Sequence, residues 1–550
     1  MIYTDKKLAQ LVIEYCAAYG VEHVIISPGS RNAPFTVGFT NHPKFTCYSV
    51  VDERSAAFFA LGIAQQLRKP TAVVCTSGSA LLNYYPAVAE AFYSDIPLVI
   101  ISADRPKHLI DIGDGQTIRQ EHVFHNHSLF NANLTDNEES AESNRKLLSE
   151  ALKMVNTWKG PVHINVPFDE PMYGVIDNIL IDKPNSYTTD YQLNIEDLSA
   201  FAELWNTASK KMILVGSHYP DKKLENQLAA FINDDSVLVL TETTSNLHHA
   251  KFINSIDKLI FPLTDEECES FSPNILITLG GMVVSKKIKQ ILRKFQPNHH
   301  WHIDFKTSLD TYHCLTKHFK IHPTDFFSEF LNHTKKVDSN YQKAWLSIKS
   351  DRNSNHQKYL ENISFSDLKV FDTIFESLPN GIKLQLGNST VIRYSQLFDL
   401  KSSIEVYCNR GTSGIDGCTS TAIGAASVSD AQTVFISGDI SFFYDSNALW
   451  NKYIKTNFRI ILINNNGGNI FRFIPGPDST NALVFFEAPH SLTAEQLCKM
   501  HHVEYSSVAD EQELEDQLKI FYDGDRPKLL EIFTPSEYDS EVLKKYFRSL

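Results

Sequence analysis

The stretches Thr433-Val434-Phe435-Ile436-Ser437-Gly438-Asp439-Ile440-Ser441 and Phe458-Arg459-Ile460-Ile461-Leu462-Ile463, the second running into Asn464-Asn465-Asn466-Gly467-Gly468, decide the fold of this chain. Each opens as a short, nearly unbroken apolar run, the pattern of a strand buried on both faces of a parallel sheet. Gly438 lets backbone approach a bulky anion, and Asp439 offers a hard oxygen to a metal. Asn466 follows 27 positions after Asp439, bringing an amide oxygen with glycine carbonyls behind it. Two strands ending side by side with these donors read as a clamp for a divalent cation and a diphosphate.

Working outward, the chain reads as α/β, with three regions of parallel sheet flanked by helices. The first, 1–184, has strand-like runs at Val21–Ser27, Thr46–Val51, Thr71–Cys75, Leu98–Ser102 and Val162–Val166. Thr4-Asp5 is expected to cap a helix that ends at Gly20. A polar linker follows at about 185–196. The central region, 197–335, repeats the alternation with Lys211–Gly216, Val237–Thr241, Ile275–Gly280 and His300–Asp304. A helical connector at about 333–366 leads to the third region, 360–550, which contains the clamp and ends with the strand Lys528–Phe533. No internal sequence repeat is visible.

With 550 residues there is chain enough for several cores. The formal charge of −14 argues against nucleic acid, so an anionic substrate must be met by local cations. The eight cysteines are dispersed without a Cys-x-x-Cys pair, as suits a reducing cytosol. The polar start MIYTDKKLAQ and the absence of any apolar run near the ~18 residues of a membrane span predict a cytoplasmic protein with no targeting segment or anchor. The clusters His122/His125/His127 and His299/His300/His302 lack the cysteine or carboxylate partners of structural zinc and read as loop or interface histidines.

The Gly-Asp…Asn-Asn pattern resembles the thiamine-diphosphate binding motif. Ser27-Pro28-Gly29-Ser30-Arg31-Asn32-Ala33-Pro34, Thr76-Ser77-Gly78-Ser79-Ala80, Ala103-Asp104-Arg105-Pro106, Gly387-Asn388-Ser389 with Arg393, and Asn409-Arg410-Gly411-Thr412-Ser413-Gly414-Ile415-Asp416-Gly417 narrow the resemblance. Together they are similar to one branch of that family, the 2-succinyl-5-enolpyruvyl-6-hydroxy-3-cyclohexene-1-carboxylate synthases of menaquinone biosynthesis. The likeness covers the first and third regions throughout and the central region in layout.

The resemblance implies pyrimidine-binding, central and diphosphate-binding domains, and a homodimer or dimer of dimers with thiamine diphosphate spanning two subunits. It implies magnesium, with manganese as alternative, held by Asp439, Asn466 and the carbonyl of Gly468. It implies decarboxylation of 2-oxoglutarate and addition of the resulting succinyl-semialdehyde carbanion to isochorismate, with no nucleic-acid or membrane partner. Glu53 would face the aminopyrimidine ring as the catalytic carboxylate, its pKa raised by burial; from local sequence alone the reading as a helix-start glutamate stabilised by the dipole wins. Cofactor contacts are expected from Ser77, Gly78, Ser413, Gly438, Ile440, Ser441 and Ile470, with Ile415 wedging the two rings.

Both implied substrates are dicarboxylates and call for fixed cations. Arg31, Arg105, Arg393 and Arg410 all fall on predicted loops, where the planar fork of arginine pairs bidentately with carboxylate. Ser30, Ser389 and Gln116 are expected beside them, although Gly115 stands where some relatives carry asparagine. Lys286 and Lys287, after Ser285, match a basic loop that reaches the site. The alternative readings are another thiamine-diphosphate 2-oxo-acid decarboxylase or acetohydroxyacid synthase, or an inactive binding protein of the same fold.

Overall fold

The computed structural model describes residues 2–188, 196–472, 476, 480–535 and 538–550; most of the expected linker lies outside them. Among the described residues, three parallel sheets carry the architecture. The first runs, in spatial order, Thr46–Ser49, His23–Ile26, Thr71–Cys75, Leu98–Asp104, Val162–Pro167, Phe130–Asn133. The third runs Glu405–Cys408, Lys383–Leu386, Thr433–Gly438, Phe458–Asn464, Lys528–Phe533, Glu504–Val508. Numbered within each sheet, both have the order 2-1-3-4-6-5, a structural doubling that no sequence repeat announces. The central sheet, with five strands, follows 2-1-3-4-5.

In both six-stranded sheets the strand order reverses between the first and third strands, where ligands settle beyond the carboxyl ends of open α/β sheets. In the first sheet the loops there are Ser27–Arg31 and Thr76–Gly78; in the third they are Gly387–Ser389 and the direct strand-to-helix junction at Gly438-Asp439. Glycine is needed in the first, where a Cβ on Gly29 would fall 2.3 Å from Thr76 Cβ; in the third, a Cβ on Gly387 would sit tightly, 3.3 Å from the backbone at Ile436 and Ser437. The glycine-rich motifs at Ser27–Arg31, Thr76–Gly78, Gly387–Ser389 and Gly438-Asp439 therefore land at carboxyl edges.

The two sheets are joined by Glu53–Leu67 and Cys418–Ser427, the helices that follow the second strand of each. Their backbones touch. A Cβ on Gly62 would lie 2.0 Å from Thr421 O, and one on Gly424 would lie 2.1 Å from Phe59 O. Phe58, Phe59, Ala422 and Ile423 then merge with Phe435 and Leu462 in one buried core spanning both sheets.

Several expectations need correction. Tyr3–Thr4 pairs antiparallel with Val175–Ile176 and Asp5 N bonds Gly174 O, so the first helix, Lys7–Ala18, starts from Lys6 with no side-chain cap. Strands at Phe130–Asn133, Leu315–Phe319, Glu405–Cys408 and Glu504–Val508 were not foreseen, because edge position and interspersed polar residues blur their pattern; the interior strand Lys383–Leu386 was missed because it is short and carries Lys383 and Gln385. The chain continues past Lys528–Phe533 into the helix Asp539–Ser549. His300 and His302 are not loop residues: they lie buried on His299–Ile303, bonded to Thr278 Oγ1 at 2.8 and 2.9 Å. No helix among the described residues is long and apolar enough to cross a membrane.

Candidate active site

Register brings the clamp together: Gly438 pairs with Ile463, so the two strands of the third sheet end flush. Asp439 opens a short helix, Asp439–Tyr444, and is buried; its Oδ1 accepts from Ile440 N at 2.7 Å and its Oδ2 from Gly467 N at 2.9 Å. Burial pushes its carboxyl up to about 6 against the opposing effect of those bonds and of His490, whose Nε2 stands 3.3 Å from Oδ2. The Asn464–Gly468 turn needs left-handed backbone at Asn466, φ 61°. It is braced by Asn466 N on Asn464 Oδ1 at 3.1 Å and by Gly468 N on Glu487 O at 2.7 Å. Gly468 O accepts from Phe471 N at 3.2 Å, which leaves its second lone pair.

These residues fit a hard divalent cation with a diphosphate. The turn bearing the Asn466 amide and the Gly468 carbonyl is tied to the Asp439 carboxylate through Gly467 N, the donor types a hard cation takes, and the space where a Cβ on Gly438 would sit is open. Ser441 Oγ donates to Ile415 O at 2.8 Å, coupling the clamp to the residue expected to wedge the cofactor. Ile440 is half-buried, and Ile470 is buried in the short turn Asn469–Arg472.

The loop from Asn409 to Gly417 lies beside the clamp, held from two sides. Asn388 donates to Asn409 O and Gly414 O, both at 2.7 Å, and its Oδ1 accepts from Arg410 Nη1 at 2.7 Å. Glu90, buried on a helix of the first sheet, accepts from Gly411 N and Thr412 N at 2.7 Å and from Thr412 Oγ1 at 2.8 Å. Ser389 and Ser413 take left-handed φ of 70° and 61°. Arg393 is not on a loop: the left-handed Ser389 starts the helix Thr390–Ser395, which carries it. Arg393 has no hydrogen-bond or ion-pair partner among the described residues. It is exposed, yet the surrounding protein and then the like charge of Arg410 lower its pKa, with Asp257 opposing.

On the first sheet, Arg31 is mostly committed: its guanidinium donates to Phe168 O at 2.9 Å and pairs with Glu170 at 3.3 Å. Its pKa falls through burial and then through Arg105, so the two arginines share one region. Arg105 donates to Gly115 O at 3.2 Å while its Nε is buried without a partner. Ser77 Oγ, Thr76 Oγ1 and Asn32 Oδ1 are likewise buried and unpaired, an uncommon concentration around one turn. Ser30 and Gln116 are exposed at its rim, and Gly78 has φ 88°.

Glu53 begins the helix Glu53–Leu67 half-buried, and no group among the described residues hydrogen-bonds its carboxylate. Its charge contributes to the raised pKa values of Cys75 and Tyr84, so it faces the end of Thr71–Cys75. Its neighbours fix it. Asp52 caps the helix on Ser55 N at 3.1 Å and accepts from Asn447 Nδ2 at 2.7 Å. Arg54 bonds Tyr444 O at 2.9 Å and lies over the Tyr444 ring.

Lys286 and Lys287 start a helix rather than fill a loop, because Ser285 caps Ile288 N at 3.1 Å. Glu242, buried and raised to about 7 by that burial, takes Val284 N at 2.6 Å and Ser285 N at 2.8 Å. Lys286 is exposed, whereas Lys287 lies near Asp257. Glu90, Glu242, Asp52 and His490 escaped the sequence reading; each acts on residues far along the chain, and none sits in a recognisable motif. Among the described residues, no hydrogen bond or ion pair runs from Glu53, Arg31, Arg105 or Gln116 to Asp439, Asn466, Arg393 or Arg410.

Comparison with known proteins falls on the same two edges. Residues 6–130 match the family model described as thiamine pyrophosphate enzyme, N-terminal TPP binding domain, and residues 387–532 match the corresponding C-terminal TPP binding domain. The chain is 54% identical over 554 residues to the 2-succinyl-5-enolpyruvyl-6-hydroxy-3-cyclohexene-1-carboxylate synthase of Flavobacterium psychrophilum, covering 100% of both chains. It is 52% identical to the protein of that name from Flavobacterium johnsoniae, again covering 100% of both. It is 37% identical over 562 residues to that of Bacteroides thetaiotaomicron, with the same coverage.

Proposed function

The chain belongs to the 2-succinyl-5-enolpyruvyl-6-hydroxy-3-cyclohexene-1-carboxylate synthase family of thiamine-diphosphate enzymes, and we propose that it joins the four-carbon unit left by decarboxylation of 2-oxoglutarate to isochorismate, in the cytosol, in menaquinone biosynthesis. The observation that carries this reading is the pairing of the Asp439–Asn466 clamp with unspent arginine donors at Arg393, Arg410 and Arg105, a site built for a diphosphate cofactor and for more than one carboxylate. Domains at 1–184, 197–335 and 360–550 go with it.

Thiamine diphosphate, when bound, supplies the electron sink for decarboxylation and carbon–carbon bond formation. Asp439, Asn466 and Gly468 O would hold magnesium, or manganese in its place, with the diphosphate; Ser413, Gly438, Ile440, Ser441 and Ile470 would line the cofactor, and Ile415 would pack against it. Glu53 would be the carboxylate that hydrogen-bonds the aminopyrimidine ring and holds a proton there. Its freedom from protein partners leaves it available for this role, and Asp52 and Arg54 aim it. Ser77 and Gly78 border the same ring.

Arg393, Arg410 and Ser389 receive the carboxylates of the 2-oxo acid. Arg105, Gln116, Ser30 and Arg31 receive those of the ring acceptor, with Lys286 and Lys287 bordering the cleft. In keeping with the family the chain belongs to, each site would be assembled by two copies, in a homodimer or a dimer of dimers. The test is consumption of isochorismate by the purified protein with 2-oxoglutarate, thiamine diphosphate and Mg²⁺. Carbon dioxide release that isochorismate neither accelerates nor diverts would identify a plain decarboxylase instead.

A further inference from the structure

Gln120 has no part in the roles above, yet it is fully buried and both ends of its amide are used. Its Oε1 accepts from Gly78 N at 2.8 Å; its Nε2 donates to Ala103 O at 3.2 Å and to Asn165 Oδ1 at 2.9 Å. Asn165, also buried, passes the chain on through Nδ2 to Asp104 Oδ2 at 2.8 Å, and Asp104 Oδ1 accepts from Arg105 N at 2.8 Å. Ser102 Oγ donates to Asn165 Oδ1 at 2.7 Å, so the orientation of both amides is dictated.

This chain of bonds fastens a strap. Residues 105 to 120 leave the sheet at Arg105 and return at Gln120, and Gln116 lies between, with left-handed φ 55°. Its carbonyl presses on the Gly78 turn, where a Cβ would come within 3.2 Å of it. Arg105 in turn holds Gly115 O at 3.2 Å. Gln120 is thus the point at which the strap is tied both to the Gly78 turn and to the base of Arg105.

We propose that Gln120, acting with Asn165, is a positioning residue that sets Gln116 and Arg105 for the cyclic dicarboxylate acceptor; the inference rests on the acceptor site assigned above. A buried glutamine that merely filled the core would lower stability without choosing between the two half-reactions. Gln120 tied to the strap chooses, because the 2-oxo acid is received by Arg393 and Arg410 on the other sheet.

The experiment uses the full-length holoenzyme and Gln120→Met, which keeps side-chain length and removes both ends of the amide. We expect the KM for isochorismate to rise about 10- to 100-fold, while carbon dioxide release from 2-oxoglutarate alone falls by a clearly smaller factor, since the lost bond to Gly78 N loosens only one border of the cofactor ring. Gln116→Ala added to Gln120→Met should cost less than it does alone, since Gln116 is already misplaced. If Gln120→Met does not fold, Gln120→Asn, with both amide ends on a shorter arm, is read the same way. An equal fall in both half-reactions, or an unchanged KM, overturns the proposal. An unsubstituted enzyme that consumes no isochorismate overturns the acceptor assignment, and the proposal with it.

Discussion

The carboxylate of Glu90 and the backbone nitrogen of Gly411 lie 2.7 Å apart across 321 positions of chain. That bond, with those to Thr412, ties a helix of the first sheet to the loop bearing Arg410, Ser413 and Ile415. The contact is close enough that a Cβ on Gly411 would fall 2.6 Å from Glu90 O.

Glu90→Gln would turn an amide N–H₂ towards backbone donors. Orphaning a buried donor costs about 1–3 kcal/mol, so the thermal midpoint should fall and the KM for 2-oxoglutarate should rise as Arg410 loses its fixed base. Denaturation scans and steady-state kinetics read both. Unchanged values would show that Asn388 alone holds the loop.

Asp439→Ala removes the buried carboxylate of the clamp. Thiamine-diphosphate affinity should collapse while the apo fold persists, and chelation of Mg²⁺ should reproduce the loss reversibly. Titration calorimetry with and without the metal is the measurement; tight, metal-independent binding by the variant contradicts the clamp.

Glu53→Gln keeps the shape of the side chain but cannot share a proton with the cofactor ring. Cofactor binding should survive, and deuterium exchange at the thiazolium carbon, followed by NMR, should slow by about 10²–10⁴-fold. Exchange at the normal rate would reduce Glu53 to a helix-start residue.

Arg393→Ala should bind thiamine diphosphate and Mg²⁺ nearly normally yet turn over poorly, because the side chain lies outside the clamp and has no protein partner to abandon. Losing a charge partner for a substrate carboxylate costs about 2–5 kcal/mol. Carbon dioxide release from 2-oxoglutarate alone, then isochorismate consumption, separates the two steps. Loss of cofactor binding, or two intact half-reactions, would count against the assignment.

Burial holds His163 and His356 down at about 3 and His300 at about 4. Unfolded, each would accept a proton near pH 6.5, so their contribution to stability is complete above that pH and is lost as pH falls towards the folded values. Glu242 and Asp445, raised by burial to about 7, act with the opposite sign: folding binds their protons more tightly, and stability rises as pH drops through their window. The clean readout is therefore a difference. His163→Gln should remove about 1.4 kcal/mol per pH unit of slope between about pH 6 and 4, measured by urea denaturation at several pH values. A parallel pH profile would mean that His163 is charged in the native protein.

The clamp and the family were legible because their chemistry is local. Gly438-Asp439 and Asn464–Gly468 each sit at the end of one apolar strand, and a strand buried on both faces announces itself by composition. Edge strands such as Glu504–Val508 were missed because half-exposed backbone tolerates mixed residues, and the cap at Thr4-Asp5 was misread because Val175–Ile176 offered Tyr3–Thr4 a better set of backbone bonds.

The sequence by itself determined the α/β class, the carboxyl-edge loops and the residue types that face a diphosphate and carboxylates, since each follows from periodicity and short spacing. Only the tertiary structure decided that Arg393 has no hydrogen-bond or ion-pair partner among the described residues while Arg31 is tied to Phe168 and Glu170, that Asp52 and Arg54 grip Asn447 and Tyr444 on either side of Glu53, and that the first and third sheets share one strand order. The reason is physical: an isolated glutamate or arginine reads the same whether it pairs with a residue hundreds of positions away or with nothing. Only closure of the chain settles which buried polar groups are satisfied from within and which are left for a ligand.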